Sequence, residues 1–443
     1  MRRFAFVFLI LLPSLPLYAQ LNSSQEKTGW SFGVLPVLSY NTDNGFRYGI
    51  QGAVYDYGKA GRYPDYRMML RAEVSRSTGG SGVNQLFFDA ADLFRRARVR
   101  LTADVSYLTD RTCPFFGFNG REAHYDRAFT VPGDSSYISR VFYGYDRELL
   151  RVTCDLRGPL LKDRLYWLAG AGFFSYHAGT VNISRLNKGK PDDKKLPDTA
   201  LLYDDYVAWG LIPEGDADGG SQQVVKAGLV YDSRDREANP TRGLWSEVIL
   251  VAAPSFLGNR ENAFGRLALT HRQYVSLIGG RLTIAYRLAY QGRLWGTVPF
   301  YSMPYLFGSY PSGTLEEGLG GGKSARGILQ NRLTGEGVAY GNAELRWKFL
   351  SAVVWKQNIY LALSPFLDAG GVVQKVALDM SGIPPGTDLS GYFTGQPETI
   401  HLAAGCGLHI ALNENFVVSA DFGHAFVPED GHWGIYVGLG WLF

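Results

Sequence analysis

Seven histidines and three cysteines are the side chains best suited to bond chemistry in this chain, and neither set is spaced for it. His124, His177, His271, His401, His409, His424 and His432 are scattered. A hydrolase needs a nucleophile beside a base, or a paired acid and base. No Gly-x-Ser-x-Gly elbow supplies the first, and no His-Glu-x-x-His pair supplies a zinc site. Cys113, Cys154 and Cys406 are odd in number, lack metal-ligand spacing and read as incidental. No catalytic residue, metal or cofactor is expected, and a protease or lipase is the weakest functional reading. The remaining candidates are charged. Arg326 follows Gly320-Gly321-Gly322-Lys323-Ser324-Ala325, and Glu344 and Asp368 lie downstream. A guanidinium between two carboxylates makes bidentate, charge-assisted hydrogen bonds. Taken alone, Arg326 reads as a solvated loop residue. In the segment Asp232-Ser233-Arg234-Asp235 to Gly243, Asp235 is expected to brace a turn by pairing Arg234 or Arg242. Pro240 and Gly243 suit that turn.

Strands must position these charges. From His432 to Phe443, Trp433, Ile435, Val437, Leu439, Trp441 and Phe443 alternate with Gly434, Tyr436, Gly438, Gly440 and Leu442. Period two is a strand with one large apolar face. Strand-like segments bounded by Gly, Asp, Asn and Pro run from Trp30 onward without a helical region. They lie near 30–40, 45–57, 65–77, 83–92, 97–109, 147–157, 164–179 and 222–232. They continue near 243–253, 262–277, 281–295, 338–349, 357–373, 399–411, 415–427 and 432–443, giving about sixteen. The longest gaps, about 110–146, 180–221, 296–337 and 374–398, all follow odd-numbered strands and so share one side. A transmembrane barrel has short turns at its periplasmic end and long loops outside. The charged stretch Lys188 to Lys195 in the second gap reads as a solvated loop.

The strands are two-sided. Ile400, Leu402, Ala404, Cys406, Leu408 and Ile410 oppose His401, Ala403, Gly405, Gly407 and His409; Phe416, Val418, Ala420 and Phe422 oppose Ser419, Asp421 and Gly423. Ala343, Leu345, Trp347 and Phe349 oppose Asn342, Glu344, Arg346 and Lys348, which turns Glu344 inward; the same alternation turns Ser364 and Asp368 inward. A charge facing mid-bilayer costs about 2–4 kcal/mol, so charges collect on the lumen side. Arg2, Arg3, the apolar run Phe4 to Leu12 and Leu17-Tyr18-Ala19 read as an export signal over 1–19, cleaved after Ala19. A short periplasmic lead, 20–29, would precede a barrel over 30–443. The 14% aromatic content and 54 glycines suit strands apolar on one side, and a net charge of +3 is too small to argue for nucleic acid. The expected fold is an all-β, transmembrane antiparallel barrel.

Three segments in order carry a family resemblance: Tyr231-Asp232-Ser233-Arg234 to Thr241-Arg242-Gly243, then Gly320 to Gly327, then Gly341-Asn342-Ala343-Glu344-Leu345-Arg346 with Phe366-Leu367-Asp368-Ala369-Gly370-Gly371. With the terminal Phe443, this resembles the BamA/TamA-like family of outer-membrane insertases and translocation barrels, the bacterial surface antigen family. The resemblance is firm over about 220 to 443 and looser at Leu35 to Tyr40, Gly45 and Gly49. It implies a sixteen-stranded barrel whose sixth outer loop folds into the lumen. It also implies an Arg326–Gly327 tip pairing with Glu344 and Asp368. The terminal Trp441 and Phe443 would form the barrel signal recognised by the assembly machinery. The best-known members carry periplasmic POTRA modules, for which this chain has no room, so it resembles a barrel-only branch.

Pro36 in the first strand cannot donate a ladder bond, and Gly438 and Gly440 weaken the last. Either this seam yields, as the resembling family's lateral gate does, or Pro36 occupies a bulge and the barrel stays shut. The leading expectation is a monomeric barrel in a Gram-negative outer membrane. It would touch lipids and client outer-membrane proteins and assist their insertion by thinning or opening the bilayer at the seam. The alternative is a passive channel or transporter with the inner loop as plug.

Overall fold

The computed structural model describes residues 28–41, 45–59, 66–94, 98–161, 164–237, 239–309, 318–354, 357–412 and 416–443. The expected signal over 1–19 and most of the lead over 20–29 lie outside the described residues. Sixteen strands follow one another: β1 Trp30–Asn41, β2 Gly45–Asp56, β3 Met68–Ser77, β4 Gly82–Phe94, β5 Val99–Pro114, β6 Gly144–Leu161, β7 Leu165–Gly179 and β8 Gly219–Asp232. The second half is β9 Gly243–Ala253, β10 Phe264–Ile278, β11 Leu282–Gly296, β12 Gly337–Val354, β13 Gln357–Gln374, β14 His401–Leu412, β15 Phe416–Ala425 and β16 Trp433–Leu439. Each pairs antiparallel with its sequence neighbour, and β1 meets β16, closing the barrel. Closure is what makes strands workable in hydrocarbon, because it leaves backbone groups paired within the sheet.

Alternation sorts the side chains as period two requires. On β12, Ala343, Leu345, Trp347 and Phe349 are exposed while Asn342, Glu344 and Arg346 are buried in the lumen. The lumen is filled by charge in pairs. Arg151 sits 3.0 Å from Asp104 on β5, and Lys226 sits 2.8 Å from Asp155 on β6.

The segments after β5, β7, β11 and β13 share one end of the barrel. Three short helices, α1 Ile183–Asn187, α2 Leu202–Ala208 and α3 Glu214–Ala217, lie in the segment after β7, where the alternation gave no helix. Helices this short form through tertiary packing rather than propensity. Tyr203 and Tyr206 of α2 pack edge-on against Phe115, and Trp209 packs against Tyr392, joining three outer segments under one aromatic cover. Lys188 to Lys195 is exposed as expected, but the following stretch is not a solvated loop: Leu196, Leu201, Leu202 and Tyr206 are buried.

The chain end also differs from its pattern. β16 stops at Leu439, and Gly440 follows with φ +86°, a left-handed turn that favours glycine. Gly440 is therefore a turn residue rather than a strand residue. Trp441 and Phe443 turn into the lumen and are buried instead of continuing the lipid-facing row. Trp441 stacks on His409 with ring centroids 3.9 Å apart.

Candidate functional site

Two places matter: the loop tip inside the lumen, and the junction of β1 with β16. The segment Gly320–Gly327 enters between the walls and delivers Arg326, which is fully buried. Its Nε donates to Asp368 Oδ2 at 2.9 Å and its Nη2 to Asp368 Oδ1 at 3.1 Å, a bidentate fork. The Arg326 N–H donates to the same carboxylate at 3.0 Å. Nη1 lies 2.8 Å from Glu344 Oε1, an ion pair whose angle falls short of a hydrogen bond. The expected double fork is thus one fork on Asp368 and one ion pair on Glu344.

Arg326 has two further partners: Asp421, which alternation had turned inward without joining it to Arg326, and Phe366, which the sequence reading did not place. Asp421 on β15 faces inward, and its Oδ2 lies 3.5 Å from Nη1. The guanidinium sits 3.5 Å over the ring of Phe366, a cation–π contact in a desolvated place. Burial alone would lower the Arg326 pKa, but the carboxylates of Asp368, Glu344 and Asp421 hold it above its ordinary value. Arg326 is therefore a permanent cation facing three acids. Removing one member of such a buried set costs about 3–5 kcal/mol, while the intact set contributes much less.

Gly327 has φ +97°, and a Cβ there would meet the His424 amide nitrogen at 2.7 Å. Across the contact, a Cβ on Gly423 would meet the Arg326 carbonyl carbon at 2.6 Å. Two glycines thus let the loop backbone lie against β15. The Gly327 N–H then donates to Tyr436 Oη on β16 at 3.2 Å. Glu344 carries the connection further: Arg346 Nε donates to Glu344 Oε2 at 2.8 Å, and Arg346 Nη2 donates to the Phe443 carbonyl at 2.9 Å. The guanidinium of Arg346 lies 4.5 Å over Trp441 and 5.0 Å over Phe443. One carboxylate therefore links the loop tip to the inturned chain end. Nothing in the spacing of Arg346 and Phe443 signals this, because the terminal pattern points Phe443 the other way.

β1 meets β16 only at Tyr40 opposite Val437 and Asn41 opposite Tyr436 among the described residues. From Trp30 to Ser39, β1 has a ladder on its β2 side alone. The β1–β2 register runs through Pro36 without a shift, so Pro36 occupies no bulge. The Tyr57 N–H donates to the Gly29 carbonyl, and Phe46 bonds Thr78 on the far side of β2. Odd-numbered residues of β1 therefore bond β2, and even-numbered ones point their backbone groups toward β16. Pro36 is even-numbered. Its missing donor faces the unpaired edge, the position where a strand tolerates proline.

The Asp232–Gly243 turn joins β8 to β9 at the short-turn end. Arg234 forks onto Asp232, Nε to Oδ1 and Nη2 to Oδ2, both at 3.0 Å, and stacks 4.5 Å over Trp245. Asp235 accepts from the Thr241 amide at 2.9 Å, the Thr241 hydroxyl at 2.7 Å and the Arg242 amide at 3.2 Å. The brace on Asp235 is thus an Asx-type cap made by backbone and hydroxyl, and the guanidinium of Arg234 serves Asp232. Burial would raise the Asp235 carboxyl, but these donors hold it below its ordinary range. Pro240 is buried, and Gly243 has φ +92° with Ser233 O lying 2.2 Å from where a Cβ would be. Asn239 reaches under the barrel and donates to Tyr360 Oη at 2.8 Å. Among the described residues, no group of three or more His, Cys, Asp or Glu is placed to hold a metal ion.

Comparison with curated protein sequences finds no match. Among solved structures, the barrel is similar to BamA from Haemophilus ducreyi lacking POTRA domains 1-3, with TM-score 0.56 and 16% identity over 94% of this chain and 71% of that one. It is also similar to CdiB from Escherichia coli, with TM-score 0.51 and 12% identity over 94% of this chain and 64% of that one. At such identities the likeness is one of fold. The Omp85 superfamily domain matches residues 70–443, most of the chain, and the chain belongs to the Omp85 superfamily.

Proposed function

We propose that this protein assists the insertion or assembly of outer-membrane proteins or lipids by presenting a yielding β1–β16 seam to the bilayer. The observation that carries the reading is the unpaired edge of β1 from Trp30 to Ser39. An unpaired edge is a template for another strand. Arg326, with Glu344, Asp368 and Asp421, locks the loop and braces β16 through Tyr436 and the Arg346–Phe443 contact. The lock holds one side of the seam, while β1 from Trp30 to Ser39 is held only by β2. The protein acts by geometry, as a monomer, after export to a Gram-negative outer membrane and cleavage near Ala19. The Trp441–Phe443 end serves the assembly machinery during its own insertion, before it tucks into the lumen. It works without nucleic acid or cofactor.

Purified protein in liposomes tests this. An unfolded test barrel should become protease-protected faster than in empty liposomes. A disulfide between Tyr40→Cys and Val437→Cys, with Cys113, Cys154 and Cys406 changed to serine, should abolish the acceleration. Acceleration that survives the oxidised disulfide would sink the seam. The loop's place in the lumen also suits a plug, so a passive channel is the competing reading. It predicts conductance in planar bilayers that rises in Arg326→Ala, with no effect on client protection.

A further inference from the structure

The short-turn end carries an excess of cations that neither the loop lock nor the seam uses. Among the described residues of these turns, Lys59, Arg98, Arg164, Arg236, Arg242 and Arg281 are exposed, against the exposed acids Asp235 and Glu237. Both acids are already engaged. Asp235 accepts from Thr241 and Arg242, and Glu237 lies 3.7 Å from Arg100.

Arg164, Arg242 and Arg281 stand on consecutive turns that lie edge to edge. The Asp232 N–H donates to the Arg164 carbonyl at 2.8 Å, joining the first turn to the second. Thr241 Cγ2 lies 4.0 Å from where a side chain on Gly280 would begin, which places the third turn beside the second. The Lys348 N–H donates to the Arg281 carbonyl at 2.8 Å, anchoring the third to β12. The cations therefore form one arc along the rim rather than a scatter.

The strand ends beside this arc are apolar and exposed: Leu160 and Leu161 on β6, Leu277 and Ile278 on β10, Phe349 and Leu350 on β12. Guanidinium groups bordering an exposed apolar belt sit where acyl chains end and phosphates begin. A soluble acidic protein would need only the charges. The apolar border is what favours a lipid, whose phosphate meets the arginines while its chains cover the leucines.

We propose that Arg164, Arg242 and Arg281 form a headgroup site for anionic phospholipid on the short-turn rim of the barrel. This goes beyond the seam reading and stands or falls separately from it.

The test titrates short-chain phosphatidylglycerol and phosphatidylcholine into the full, detergent-solubilised protein and counts bound lipid by native mass spectrometry. The wild type should prefer phosphatidylglycerol by up to about a hundredfold, each arginine contributing about fivefold. Arg164→Gln/Arg242→Gln/Arg281→Gln should bring the preference close to one, and the corresponding lysine triple should keep it, because the site reads charge. Should the glutamine triple fail to fold, the wild type alone decides: its preference should collapse as salt rises from about 0.02 to 0.5 M. A preference that persists in the folded glutamine triple or is indifferent to salt overturns the proposal. So does tight binding of polyglutamate with no preference between the lipids, which would mark the arc as a surface for an acidic protein.

Discussion

The β12–β13 wall and the β1–β16 junction use the same alternation and end up opposite in character. Along β12 and β13, ladder pairs run from Gly337–Gln374 to Val354–Gln357 with two irregularities, and the lumen face carries Asn342, Glu344, Arg346 and Asp368. The loop tip lands there. At the junction, two residue pairs close the sheet, and the nearby backbone features are Pro36, Gly438 and the turn at Gly440. Charged side chains organise the first region and backbone exceptions the second. The lesson is that a closed barrel need not be equally closed everywhere. A chain can gather a buried charge cluster on one wall and leave a seam three strands away to weak pairing.

The sharpest way to break this contrast is Arg326→Ala. It leaves Glu344, Asp368 and Asp421 facing one another in the lumen. The expected loss is about 3–5 kcal/mol of local stability. It should be seen as a changed heat-modifiable mobility and new protease cleavage between Gly320 and Arg332. Unchanged mobility with an intact loop would remove the distinction between wall and seam. Arg346→Met probes the link between the two. It removes the donors to Glu344 and to the Phe443 carbonyl, each a charge-assisted bond. A cost of about 2 kcal/mol is expected, together with faster deuterium uptake over 433–443 and no change at β4–β6.

Smaller effects sharpen the picture at the outer end. Glu398 accepts from the Val372 amide at 2.8 Å and lies 3.3 Å from His401 Nε2, while His401 Nδ1 lies 2.7 Å from Asp430. Burial would raise the Glu398 carboxyl, but His401 and the Val372 and Arg121 amides hold it below its ordinary value. A carboxylate depressed in the folded state contributes stability above its unfolded pKa, near 4.3, and loses it as pH falls through the folded value. Protease access to the segment after β13 should therefore rise below about pH 4, and Glu398→Gln should flatten that dependence. Access that stays unchanged as pH falls through this range would contradict it. The smallest effect belongs to Pro36→Ala. Because Pro36 gives up no bond to β2, the change should shift stability by about 0.5 kcal/mol or less by thermal unfolding. A loss of 2 kcal/mol or more would mean the parity assigned to β1 is wrong.

Much of the barrel was legible because period two is a strong signal: every strand overlaps the segment its alternation marked, β16 alone stopping four residues short of it, and the long segments fall after β5, β7, β11 and β13. The inward direction of Glu344, Asp368 and Asp421 was legible for the same reason. Depth was not. Alternation assigns a face but not a height along the barrel axis, so it could not say that Asp421 stands level with Arg326. Helix α2 was hidden because Tyr203 and Tyr206 gain their order from Phe115 and other rings far away in sequence. The chain end misled for a different reason. Trp441 and Phe443 continue the period, yet one positive φ at Gly440 and the guanidinium of Arg346 turn them inward.

Between Trp30 and Leu38, the carbonyls and amides of β1 that point toward β16 have no ladder partner among the described residues. Hydrocarbon offers them none, and each unsatisfied peptide group there costs several kcal/mol. Water or headgroup oxygens drawn to that edge would supply the missing bonds. The solvent around β1 is then a component of the folded state, and stability belongs to the chain together with a wetted strip of bilayer. A thicker, drier membrane would strain the foot of β1 before any other strand.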